Sequence, residues 1–111
     1  MADRLDARLE HEVIHNGVTY TFRRPTMKQN IRIDVLAATY RQNVPIESLT
    51  YAVGISNVVA TLNVMCVNPE TTERGGKLDF GDMDSDDVEA IYSKVGEWLE
   101  LFRKRVDEQQ S

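Results

Sequence analysis

Five aspartates fall between positions 79 and 87: Asp79, Asp82, Asp84, Asp86 and Asp87. Carboxylates at alternating positions can share a hard cation such as calcium. An EF-hand loop also needs a glycine at its sixth position and a glutamate at its twelfth, and no frame here supplies both. Acids gathered at the start of a helix, where the dipole favours negative charge, are the better account. Asp79-Phe80-Gly81 spells a kinase tripeptide, yet no glycine-rich phosphate loop or catalytic-loop signature accompanies it.

His11 and His15 are four residues apart, which aligns ligands on a helix but separates them by roughly 13 Å along a strand. Cys66 is the single cysteine, flanked by Met65 and Val67 with no histidine near it in sequence, so it reads as a small core hydrophobe rather than a nucleophile or zinc ligand. No set of residues forms a catalytic constellation. The chain is therefore expected not to be an enzyme and to carry neither metal nor cofactor.

Other residues point to contact with a protein partner. Trp98 and Leu101 extend the apolar stripe of a C-terminal helix sideways, beside Lys94 and Arg105. An apolar edge rimmed by cations is the kind of surface a partner helix can use. The competing reading packs Trp98 against the hairpin described below and leaves Leu101 as a lone exposed leucine. On a second helix, Glu47, Thr50, Gly54, Asn57 and Thr61 share a narrow polar strip at about 100° per residue, which makes Thr50 and Asn57 candidate contacts.

Bulk properties narrow the classes further. With 111 residues the chain is expected to form a single domain spanning 1–111. A net charge of −5, from 18 acidic and 13 basic residues, opposes a phosphate backbone, so nucleic acid is not an expected partner despite Arg23-Arg24 and Arg103-Lys104-Arg105. Residues 48–69 carry no charge, but Ser48, Thr50, Ser56, Asn57, Thr61 and Asn63 make that stretch too polar for a membrane span. The thin core of so short a chain leaves room for stabilisation by a partner or by self-association into a homo-oligomer.

The elements that would position these residues are legible in outline. Residues 1–11 read as a flexible or short helical arm. Val13-Ile14-His15 and Val18-Thr19-Tyr20-Thr21-Phe22 are β-prone runs about Asn16-Gly17, the dipeptide that best tolerates positive φ at both turn positions, giving a hairpin over 12–24. Its register places Val13 opposite Tyr20 and His11 opposite Phe22. Thr26 and Gln29 form a capping box for a helix over 26–42, in which Met27, Ile31, Val35 and Ala38 are expected as the buried stripe, widened by Ile33, Leu36, Ala37 and Tyr40. A second helix, 45–67, is apolar around most of its circumference and should be buried on several sides. Residues 68–84 read as a mobile loop. Ser85 is expected to cap a final helix over 85–108, with Val88, Ile91, Val95, Phe102 and Val106 inward. The fold class is mainly α with an N-terminal β-hairpin (α+β), a small three-helix domain packed on two strands.

The run His15-Asn16-Gly17-Val18-Thr19-Tyr20-Thr21, followed by a helix rich in Ile, Val, Leu and Arg, resembles the N-terminal part of the tail assembly chaperones of long-tailed bacteriophages, including the lambda type. Phe22-Arg23-Arg24-Pro25-Thr26 similarly resembles the arginine-proline passage into the first helix of the P2-like chaperones. The resemblance covers about the first 40 residues. It implies a protein that binds the long helical tape-measure protein in the host cytoplasm, keeps it soluble and supports tail-tube assembly around it. It implies no catalytic residues. The alternative is a structural virion component, a head-to-tail connector or tail subunit.

Overall fold

The computed structural model describes residues 9–42 and 49–110, with side chains described over 9–42 and 54–101. Strands β1 (Glu10–His15) and β2 (Val18–Arg23) form the hairpin, in the register expected from a two-residue turn: His11 pairs with Phe22, Val13 with Tyr20 and His15 with Val18. Asn16 and Gly17 both take positive φ, 51° and 78°, as a type I′ turn requires. Of the arm expected over 1–11, residues 1–8 lie outside the described residues, while Glu10 and His11 belong to β1.

Helix α1 (Met27–Tyr40) begins with the reciprocal bonds of the capping box: Gln29 N donates to Thr26 Oγ1 at 3.2 Å and Thr26 N donates to Gln29 Oε1 at 2.9 Å. Helix α2 spans Leu49–Met65, and the expected start at Pro45 lies outside the described residues. Cys66–Asn68, expected to close that helix and open a loop, instead form a short strand, β3, antiparallel to β2, so the sheet has three strands in the order β1-β2-β3. The helix stops here for a local reason as well. A residue before proline is driven out of the α region, and Pro69 follows Asn68.

The segment expected as a mobile loop carries structure of its own. A parallel bridge between Thr71 and Leu78 encloses a single 3₁₀ turn, Thr72–Arg74, and a second such turn, Phe80–Asp82, follows it. Phe80 and Thr71 are fully buried. The last helix, α3 (Ser85–Gln110), is capped by Asp84 rather than Ser85: the Asp84 carboxylate accepts from Asp86 N at 2.9 Å, and its carbonyl accepts the first helical bond from Val88 N.

Two apolar clusters share α2. On one side Leu62, Met65 and Cys66 meet Val13, Tyr20 and Phe22 of the sheet, Phe80, and Val88, Ile91, Val95 and Trp98 of α3. On the other, Ala60 and Val64 meet Ile33, Leu36 and Ala37 of α1. A helix placed between two clusters must be apolar on both, which is why its pattern has no single stripe. Among the described residues no helix is long and apolar enough to cross a membrane.

Candidate functional site

The expected orientation of α1 is inverted. Ile33, Leu36 and Ala37 are its buried residues, whereas Met27, Ile31 and Val35 are 75%, 58% and 50% exposed and Ala38 is exposed with them. Spacings of four, four and three residues line these up along nearly three turns, on the side of the helix away from α2. The helix has two apolar faces, and α2 takes the narrower one because Ala37 and Ala60, both fully buried, let the two backbones approach closely.

Polar groups border the outward stripe differently on its two sides. By helical position, Lys28 and Arg32 flank one edge, Asn30 and Asp34 the other. Arg32 is held by two hydrogen bonds to Glu73, from Nε at 2.7 Å and from Nη2 at 3.1 Å. That bond and the charge of Glu73 push the Arg32 pKa further up, so the guanidinium is a permanent cation on this edge. The face is therefore an apolar strip between a basic and an acidic margin, on a helix whose first turn is fixed by its cap.

The residues expected to meet a partner are not brought together. Trp98 is buried, its indole stacked on the His11 imidazole with ring centroids 5.3 Å apart and planes 12° from parallel. It is thus a seam between α3 and the hairpin and does not form an outward edge with Leu101. Leu101 is 64% exposed and Lys94 is exposed. Arg105 lies on α3 and Thr50 on α2, with side chains outside the described set; Asn57 is half-buried on α2. His15, the second histidine, also reaches α3, its Nε2 2.8 Å from Asp87 Oδ1. Both histidines join sheet to helix, and among the described residues no group of three His, Cys, Asp or Glu side chains is placed to hold a metal ion.

Cys66 is fully buried, and its thiol donates to the Pro69 carbonyl at 3.3 Å. Burial pushes its pKa up from 9.0 to about 11. The thiolate is the reactive form, so alkylation of the native protein by iodoacetamide at neutral pH is expected to be far slower than alkylation of the unfolded chain, followed by mass spectrometry. A raised thiol pKa also stabilises only while the group is neutral. That contribution is intact below about pH 9 and is lost as pH rises through about 11. Equal labelling rates in the folded and unfolded states would contradict this placement.

One buried polar residue escaped sequence reasoning. Asn63 has no exposed surface, and its side chain donates from Nδ2 to Tyr40 Oη and to Asp79 Oδ1, both at 3.0 Å, while its Oδ1 accepts from Phe80 N at 3.0 Å. Its backbone carbonyl accepts from the Thr71 hydroxyl. The one available signal was an asparagine inside an otherwise apolar run, Leu62-Asn63-Val64-Met65.

Comparison of the chain with protein families, with curated proteins and with solved structures gives no match.

Proposed function

We propose that this protein is a phage tail assembly chaperone whose outward face of α1 holds an amphipathic helix of the tape-measure protein. The observation that carries the reading is the exposed stripe Met27, Ile31, Val35 and Ala38 on a capped helix. Large apolar side chains aligned over three turns and facing water match the helix-in-groove mode of recognition, in which a client supplies its own residues at three- and four-residue spacing. The resemblance of residues 15–26 to tail chaperones supplies the identity of that client.

Charge argues for a client rather than a second copy laid antiparallel on the same face. Such a pair would set the Lys28 and Arg32 margin against itself and the Asp34 margin against itself. A client helix with acids on one margin and bases on the other has no such conflict. Binding of this kind needs no catalytic group and is reversible.

Co-expression with the tape-measure protein encoded downstream tests the reading. The expected result is a soluble complex that co-purifies. Ile31→Glu should weaken that complex about tenfold or more, because it places a charge in the middle of the contact, while changing folding stability by no more than about 0.5 kcal/mol at so exposed a site. Absence of both co-purification and solubility rescue by the unaltered protein sinks the proposal.

A further inference from the structure

We infer that the cleft between the C-terminal end of α1, the middle of α2 and the Phe80–Asp82 turn is a binding site for an alkylammonium group. The cleft has a volume of about 370 Å³ and is lined by Tyr40, Ile55, Ser56, Val59, Asp79 and Asp82, with Gly81 at its margin. This size lies at the lower end of the range for small-molecule sites.

Each wall selects for a part of that ligand. Asp79 and Asp82 supply two carboxylates, and both bonds that hold Asp79 fall on one oxygen: Oδ1 accepts from Asn63 Nδ2 at 3.0 Å and from Gly81 N at 2.8 Å. Those two bonds fix the carboxylate in place before any ligand arrives. Ser56 is 6% exposed and lines the cleft, where its hydroxyl oxygen can accept from an N–H donor. Burial, followed by the charge of Asp79 and Glu73, raises the Tyr40 pKa, so its phenol remains a neutral hydroxyl. Ile55 and Val59 leave the remaining wall apolar.

A cation is therefore matched at one end of the cleft and a hydrocarbon stem at the other. Phosphates and carboxylates are excluded by the two aspartates. A short aliphatic amine and a lysine side chain of another protein present the same chemistry, an ammonium on a flexible stem. The site lies on the inner side of α1, away from the outward stripe, and does not depend on the function proposed above.

The test follows the amide resonances of Gly81 and Asp82 while the full chain is titrated with 1,5-diaminopentane, and separately with N-acetyl-lysine methylamide. 1-Pentanol serves as the neutral control. Saturable shifts with either ammonium ligand, with a dissociation constant on the order of 1 mM, are expected. Binding by the diamine alone identifies a free amine as the source, and binding by the lysine derivative identifies a partner's side chain. Asp82→Asn, at an exposed position, should weaken binding about three- to tenfold without altering the fold. Failure of both ammonium ligands to saturate, equal shifts with pentanol, or unchanged affinity in Asp82→Asn overturns the inference.

Discussion

Replacing Asn63 with alanine is expected to cost about 3 kcal/mol of folding stability, read from the denaturation midpoint at unchanged slope. The side chain joins three parts of the molecule: Tyr40 at the end of α1, Asp79 ahead of the second 3₁₀ turn, and the backbone of Phe80. Alanine strands the Phe80 N–H, which is buried beneath a fully buried ring, and takes a donor from the Asp79 carboxylate. Each such group left unmatched costs roughly 1–3 kcal/mol, and the small void adds to it. Asn63→Asp should be worse than alanine near neutral pH, because it removes both Nδ2 donors and sets a second carboxylate beside Asp79. Shared repulsion raises the pKa of such a pair in the folded state, so the loss should shrink as pH falls. An alanine variant within about 0.5 kcal/mol of the parent would show that Asn63 does not organise this junction.

Phe80→Ala is expected to lower stability by about 4 kcal/mol, the usual range for deleting a buried phenylalanine. The ring has no exposed surface and lies 5.7 Å from Tyr20 and 6.0 Å from Phe22, centroid to centroid, tilted against both. In a chain of this size that is a drop in Tm of more than about 10 °C. The variant also tests how residues 69–84 are held. Were that segment a solvated connection, truncating one side chain in it would change stability by less than about 0.5 kcal/mol. A small effect would therefore detach the segment from the core.

The features legible in the sequence are those fixed by nearest neighbours. Asn16-Gly17 sets the turn and hence the whole β1-β2 register, because few other pairs accept two positive φ angles in succession. Thr26 and Gln29 announce α1 by a bond that spans three residues. Val88, Ile91 and Val95 repeat with one period and face inward as expected. Features set by distant neighbours were not legible. The β3 strand is only three residues long and forms because β2 offers a free edge. Residues 69–84 have turn-like composition, and their order comes from Asn63, Phe22 and Tyr20 elsewhere in the chain.

The outward face of α1 shows a different limit. Met27, Ile31 and Val35 form the more regular apolar series, so periodicity favours them as the buried side. Periodicity cannot say which of two apolar faces meets the next helix. The small residues Ala37 and Ala60 decide that, through how closely two backbones can approach. The candidate surface was thus visible as a pattern and assigned the opposite role. The cleft beside Tyr40 had no sequence signature, since its lining comes from three separate elements.

The stacking of Trp98 on His11 equips the chain with an optical reporter. Trp98 is its single tryptophan, and the ring lies on the surface where α3 meets the hairpin. Its emission therefore follows one event, the lifting of the sheet from the helix, with no dye or label attached. Opening at that seam admits water to the indole and shifts its fluorescence to longer wavelength. Circular dichroism of the helices reports on the rest of the fold. Recording both signals during denaturation would reveal whether the hairpin departs together with α1 and α2 or ahead of them.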